Sequence, residues 1–144
     1  MSTVLVIAPH PDDETLGCGG TLLRHRADGD DIHWLIVTDM KEEAGFSKAR
    51  IQTREKEIAT VTEAFGFASV ARLGLPAARL DAISLADIIG EMGKAFEVIQ
   101  PETIYVPFPG DAHSDHRQVF DAAGACCKWF RHTSVRKVIA CEIP

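Results

Sequence analysis

The sequence predicts an α/β fold in which a mostly parallel five-stranded sheet carries helices on both faces. Two observations support this class. Short apolar runs alternate along the chain with longer segments of helical periodicity. The apolar runs are continuous rather than alternating in polarity, which is typical of strands buried on both faces. At 144 residues, with no internal repeat or linker, the chain is most simply a single domain spanning residues 1–144.

Five strands are expected, each short, apolar and containing β-branched residues. They are Thr3–Ala8, Ile32–Thr38, Ser69–Leu73, Thr103–Pro107 and Val135–Cys141. Sheets of this kind are commonly arranged in the order 3-2-1-4-5, which makes the first and fourth strands neighbours. We therefore expect a Rossmann-like three-layer sandwich.

Helical periodicity predicts four helices, Leu16–Ala27, Ser47–Phe65, Leu85–Ile99 and Ser114–Phe130. The third shows it most plainly, because its apolar residues fall on one stripe. Gly66 follows the second helix at the position where a helix commonly stops. The segments expected to be irregular are Asp39–Phe46, Pro76–Ile83 and Phe108–His113.

The charge and composition of the chain argue against several classes of function and location. The formal net charge is −6 and no basic stripe is present, which argues against nucleic acid or an anionic membrane as the main partner. No apolar run approaches the roughly 18 residues of a membrane span. The N-terminus has neither a basic region nor a cleavage site of the kind found in signal peptides. We expect a cytoplasmic protein.

Two clusters of histidine and acidic residues follow the first and fourth predicted strands. The first is His10-Pro11-Asp12-Asp13-Glu14 and the second is His113-Ser114-Asp115-His116. If those strands are neighbours, both clusters lie in one crevice at the carboxyl end of the sheet. Closely spaced carboxylates repel one another unless a cation or a catalytic task holds them. The pattern therefore predicts a single metal site.

A catalytic zinc site takes three protein ligands and leaves one position for water. His10, Asp13 and one histidine of the second cluster could supply that set, which leaves Asp12 beside it as a general base. The other histidine could stabilise an oxyanion or protonate a leaving amine, and Asp115 could hold an imidazole in one tautomer. Such a set accepts several first-row divalent metals besides zinc.

Two helix faces add to this prediction. On the second helix, Arg54 falls on the apolar stripe, so it needs carboxylate partners, and the acids after the first strand are the obvious candidates. The alternative is that it reaches solvent along its alkyl stem. On the fourth helix, the apolar stripe extends back to His116, which is therefore expected to point inward.

Both clusters resemble the signatures of the PIG-L/LmbE-like zinc-dependent N-deacetylase family, and the similarity runs along essentially the whole chain in matching order. The further segments that resemble the family are Gly17-Cys18-Gly19-Gly20, Val37-Thr38-Asp39 and Arg54 with Glu57. The resemblance implies removal of an acetyl or similar acyl group from an N-acetylated amino sugar or its conjugate. It also implies a possible homo-oligomer, a trimer or hexamer.

By that resemblance the zinc ligands would be His10, Asp13 and His116, and Asp12 would be the general base. The resemblance further makes His113 the partner of the transition state, Asp115 its orienting neighbour and Arg54 a substrate-binding residue of the site wall. Met40 departs from the family, which usually has glycine there. The chain also ends near Pro144, so we expect it to lack the usual C-terminal extension.

Other interpretations stay open. The early end of the chain favours a non-catalytic metal-binding or interaction module on the same fold. The acids after the first strand and the start of the fourth helix could simply be helix caps. The glycines at residues 17–20 suggest dinucleotide binding, but the third glycine of that pattern would be Leu22. Acids at that helix end would also repel a pyrophosphate.

Overall fold

The fold is an all-parallel five-stranded sheet in the order β3-β2-β1-β4-β5, as predicted. A computed structural model describes residues 1–144. The strands are β1 (Thr3–Ala8), β2 (Asp31–Asp39), β3 (Ser69–Pro76), β4 (Thr103–Pro107) and β5 (Lys137–Cys141). β1 lies at the centre of the sheet and pairs with β2 on one side and β4 on the other.

Four helices connect the strands: α1 (Asp13–Ala27), α2 (Lys48–Phe65), α3 (Leu85–Ile99) and α4 (Ser114–Cys126). Serine hydroxyls cap two of them, since Ser47 accepts the Arg50 amide of α2 and Ser84 accepts the Asp87 amide of α3. Gly66 ends α2 in the left-handed conformation, φ 70°, where a side chain would be strained.

Each face of the sheet has its own core. The alternation of β1 sends Leu5 and Ile7 to one face, where α3 and α4 pack, and Val4 and Val6 to the other face, where α1 and α2 pack. The first core contains 14 buried apolar residues and the second contains 12. The three-layer sandwich is therefore confirmed.

The start of α1 is closely packed at Gly17. A Cβ atom at Gly17 would lie 3.2 Å from Ile143 Cγ1 and 3.3 Å from Cys141 Cβ. The helix is also kinked one residue later, at Cys18, whose φ of −148° is not helical. Gly17 thus lets α1 lie against the segment that follows β5.

The ends of two helices differ from the prediction. α1 begins at Asp13 rather than Leu16, so the acids of the first cluster enter its first turn. α4 ends at Cys126 rather than Phe130, because the apolar side chains beyond Cys127 no longer face the core. Trp129 and Phe130 are 81% and 61% exposed. None of the helices has the length and apolar character needed to cross a membrane.

We predict that Phe96→Ala lowers the free energy of unfolding by about 3–5 kcal/mol, because Phe96 on α3 is fully buried in the first core. Val98→Ala, two residues along the same helix and 84% exposed, is the matched control and should change it by less than about 0.5 kcal/mol. Urea unfolding monitored by circular dichroism measures both. Equal midpoints for the two variants would contradict this assignment of the core.

Candidate functional site

The two histidine-bearing clusters meet at the carboxyl ends of β1 and β4. The strands pair in parallel, with Val6 opposite Tyr105, so the segments that follow them are neighbours. The ring centroid of His10 lies 4.5 Å from that of His113 and 5.7 Å from that of His116. The predicted convergence of residues about one hundred positions apart is therefore present.

Asp13 lies at the centre of this group. Its Oδ2 is 3.5 Å from His10 Nδ1 and 3.2 Å from His116 Nε2, and it accepts the His10 amide at 2.9 Å. Asp13 is also the first residue of α1, where unpaired helix amides favour a carboxylate. Burial alone would raise the pKa of Asp13, but the hydrogen bonds with both imidazoles hold that pKa well below its ordinary value.

The outer nitrogen of each of these imidazoles is held by a second carboxylate. His10 Nε2 lies 2.8 Å from Asp115 Oδ2, and His116 Nδ1 lies 2.9 Å from Asp111 Oδ2. Burial lowers the pKa of His10, but the contacts with Asp115 and Asp13 outweigh it and raise that pKa to about 9. Both rings are therefore fixed with one nitrogen directed at Asp13.

Asp115 is itself anchored by the loop between β3 and α3. It is fully buried, and its oxygens accept the amide of Ala78 at 2.7 Å and the amide of Leu80 at 3.2 Å. Ala78 adopts the left-handed conformation, φ 60°, which is costly for a residue with a side chain. Burial raises the pKa of Asp115, but the His10 ring and the two amides outweigh it and lower that pKa.

His113 has different surroundings. It caps α4, and its Nδ1 accepts the Asp115 amide at 3.1 Å. A neutral imidazole whose Nδ1 accepts a hydrogen bond carries its single proton on Nε2. Asp115 had been expected to orient His113, but its Oδ2 lies 3.9 Å from His113 Nδ1 and only 2.8 Å from His10.

Asp12 and Arg54 lie on the wall of the site. Burial and the neighbouring Asp13 carboxylate raise the pKa of Asp12, while the charge of Arg54 lowers it. Arg54 Nη1 donates to the Pro11 carbonyl at 2.8 Å and pairs with Glu57 Oε2 at 3.1 Å. The sequence suggested the acids after β1 as its partners. The guanidinium instead binds the backbone between His10 and Asp12.

The nitrogen and oxygen donors of His10, Asp13 and His116 fit a divalent metal. All three ligand atoms lie within 4.8 Å of one another. The 3.2 and 3.5 Å separations measured from Asp13 are close to the roughly 3.3–3.6 Å expected between ligands of a tetrahedral zinc ion. His10, His113 and Asp115 form a second close group. It fits less well, because the Asp115 oxygens already accept three hydrogen bonds.

An open cavity of about 460 Å³ leads to this group. Apolar side chains line part of its wall, and the ion pairs of Arg72 with Asp39 and Glu55 form another part, with contacts of 2.6 Å to each carboxylate. The apolar lining residues are Leu16, Met40, Phe46, Ile51, Ala77, Ala78, Ala112 and Ile143. The cavity thus offers both apolar and charged surface beside the histidines.

Asp111, the carboxylate that holds His116, was not predicted from the sequence. It lies in the Phe108–His113 segment, which was treated only as irregular. Its position after β4, two residues before His113, was the available signal. The Ala78 and Leu80 amides could not have been predicted in this way, because every residue type except proline carries a backbone amide.

The sequence of the chain matches a known protein family. Residues 5–127 match the family model described as PIG-L: GlcNAc-PI de-N-acetylase. A 35-residue segment, 24% of this chain, is 54% identical to the 1D-myo-inositol 2-acetamido-2-deoxy-alpha-D-glucopyranoside deacetylase of Rhodococcus opacus (strain B4). That segment covers 12% of the relative.

Two solved structures share the fold. The conserved protein TT1542 from Thermus thermophilus superposes with a TM-score of 0.79 at 30% identity, over 99% of this chain and 66% of that one. The N,N'-diacetylchitobiose deacetylase from Pyrococcus horikoshii superposes with a TM-score of 0.75 at 23% identity, over 91% of this chain and 53% of that one. This chain therefore spans about half to two thirds of these relatives. The family match over most of its length, together with the shared fold, shows that the chain belongs to the PIG-L family.

Proposed function

We propose that this protein is a zinc-dependent amide hydrolase that removes an acetyl or similar acyl group from an N-acetylated amino sugar or its conjugate. One observation carries the proposal: His10, Asp13 and His116 converge, with a carboxylate on each outer imidazole nitrogen, and Asp12 lines the cavity beside them. The PIG-L family match and the deacetylases among the relatives support the same reaction class.

His10, Asp13 and His116 would hold the metal. A divalent ion bound there would act as a Lewis acid on the amide carbonyl and lower the pKa of water. Another first-row metal could serve, because imidazole and carboxylate ligands accept several. Asp115 and Asp111 keep the two imidazoles oriented, so little ordering remains to be done when the ion binds.

Asp12 would accept the proton of the attacking water. It lines the cavity next to Asp13, and burial with that neighbour raises its pKa from the ordinary value. A raised pKa makes a carboxylate a better base at neutral pH. As the water oxygen bonds to the carbonyl carbon, its proton passes to Asp12, which can return it to the departing nitrogen when the C–N bond breaks.

His113 would stabilise the oxyanion that forms on the carbonyl oxygen. Its Nδ1 is occupied by the Asp115 amide, so Nε2 carries the proton and is the ring's donor. An oriented donor of this kind is effective because it needs no reorganisation during the reaction. Arg54 would bind the substrate from the adjacent wall of the cavity.

A panel of N-acetylated sugars tests the proposal. We expect purified protein supplied with zinc to release acetate from at least one N-acetylhexosamine or its conjugate, and a chelator to abolish the release. Acetate measured by an enzyme-coupled assay provides the readout. Zinc bound with no release from any substrate would instead favour the non-catalytic metal-binding module.

Two substitutions should separate a ligand from its supporting carboxylate. We expect His116→Ala to abolish tight zinc binding and Asp111→Asn to weaken it by about 10- to 100-fold, because Asp111 orients the imidazole. Asp121→Asn, on the exposed side of α4, is the control and should bind zinc like the parent protein. Competition with a chromophoric chelator measures all three. Unchanged zinc affinity in His116→Ala would refute the ligand set.

Replacement of Asp12, the proposed base, should leave zinc binding intact. We expect Asp12→Asn to keep full zinc content and to lower kcat by about 10²- to 10⁴-fold, because the amide cannot accept a proton. Atomic absorption and acetate release measure the two properties on one sample. Loss of zinc from this variant would mean that Asp12 and Asp13 have exchanged roles.

A further inference from the structure

Three charged residues form the wall of the cavity on the side of β2 and β3. Asp39 ends β2, Arg72 lies on β3 and Glu55 lies on α2, and all three line the cavity. Glu55 shares one face of α2 with Ile51 and Arg54, because residues three and four positions apart on a helix are neighbours. That face of α2 is therefore turned toward the cavity. We refer to Asp39, Glu55 and Arg72 as the charged cluster.

The cavity extends from the histidines toward this cluster. Beyond the histidines and their acids, most of its lining residues belong to β2, β3, α2 and the adjoining loops. The His10 and His116 rings meet at the junction of β1 and β4, whereas Arg72 bonds Asp39 at the junction of β2 and β3. Neighbouring strands lie about 4.8 Å apart, so the two junctions are about 10 Å apart. A single pyranose ring does not span this distance, so the aglycone of a sugar held over the histidines would reach the cluster.

Arg72 fixes both carboxylates and leaves the cluster with one excess negative charge. Its Nη1 and Nη2 donate to the two oxygens of Glu55 at 2.6 and 2.7 Å, and Nη2 also donates to Asp39 Oδ1 at 2.6 Å. The hydrogen bonds from Arg72 lower the pKa of Glu55, so Glu55 is ionised at neutral pH. One guanidinium therefore stands between two carboxylates.

This arrangement favours a hydrogen-bond donor over an anion. The charge of Arg72 is already offset by two carboxylates, so it offers little attraction to a further anion. Asp39 is 23% exposed and accepts from Arg72 through Oδ1 alone, which leaves Oδ2 for a ligand. A carboxylate can only accept, so hydroxyl and ammonium groups match it and another carboxylate or a phosphate is repelled.

We propose that Asp39 selects the substrate: it binds a hydroxyl or ammonium group on the aglycone of the N-acetylated sugar, and the charged cluster disfavours an anionic aglycone. The inference rests on the proposed function, because it names the substrate class of that reaction. Arg72 is a positioning residue, since it holds Asp39 through Oδ1. The substrate class is thus a neutral or cationic conjugate of an N-acetylated amino sugar.

Four glycosides of N-acetylglucosamine that differ only in the aglycone test this class: ethyl, hydroxyethyl, aminoethyl and carboxymethyl. With zinc-loaded protein, we expect kcat/KM for the hydroxyethyl and aminoethyl glycosides to exceed that for the ethyl glycoside by about 3- to 10-fold, because each adds a hydrogen bond to a carboxylate. The carboxymethyl glycoside should fall below the ethyl glycoside by a similar factor. Equal values for all four, or a preference for the carboxymethyl glycoside, would overturn the proposal.

The variant Asp39→Asn assigns the selection to one residue. The amide oxygen can still accept from Arg72, but the negative charge is lost. We expect the preference for the aminoethyl over the ethyl glycoside to fall to near unity, mainly through KM, and the penalty on the carboxymethyl glycoside to disappear. Glu43→Gln, an exposed acid that does not line the cavity, is the control and should keep the parent preference. A preference that persists in Asp39→Asn would refute the assignment.

Binding separates failure of this proposal from failure of the proposed function. If no glycoside is hydrolysed, isothermal titration calorimetry with zinc-loaded protein still gives the four dissociation constants. The aminoethyl and hydroxyethyl glycosides binding most tightly and the carboxymethyl glycoside most weakly, with the order lost in Asp39→Asn, would support selection by Asp39 although no acetate forms. Equal constants, or no detectable binding of any glycoside, would overturn the selection whether or not acetate is released.

Discussion

The pairing of β1 with β4 is the constraint on which the rest of the site depends. Parallel strands end at the same edge of a sheet, so this pairing brings His10 and Asp13 to the first turn of α4. The result is one buried carboxylate, Asp13, between two imidazoles. Contact with Asp13 raises the pKa of both rings and so favours their protonated forms, and a bound divalent ion would take the place of those protons.

The loop between β3 and α3 supports this contact through Asp115. Asp115 receives the amides of Ala78 and Leu80 on one side and the His10 ring on the other. The left-handed conformation of Ala78 costs about 1–2 kcal/mol, and it persists because it directs an amide at a buried carboxylate. Three elements that are distant in sequence, β1, the β3–α3 loop and α4, are thereby joined through one side chain.

The sequence was sufficient for the fold and for the meeting of the two clusters. Both follow from the apolar patterns that buried strands and helices require. They also follow from a strand order that is common in parallel sheets of this class. Hydrogen-bond partners were harder to predict. Arg54 binds the Pro11 carbonyl, and Asp115 approaches His10 more closely than His113. Such partners depend on loop conformation, which residue identity does not specify, and Asp111 was missed for the same reason.

From the residues alone, either histidine of the second cluster could have been the metal ligand, and local structure separates their chemistry. His113 occupies the cap of α4, so its Nδ1 meets a helix amide and its Nε2 becomes a donor. His116 is one turn later and buried, so its Nδ1 donates to the Asp111 carboxylate and its Nε2 faces Asp13, where it is the nitrogen that a metal would take. An imidazole must present an unprotonated nitrogen to bind a metal and a protonated one to stabilise an oxyanion. Under the proposed function, the three-residue spacing would give the two tasks to two rings of the same type.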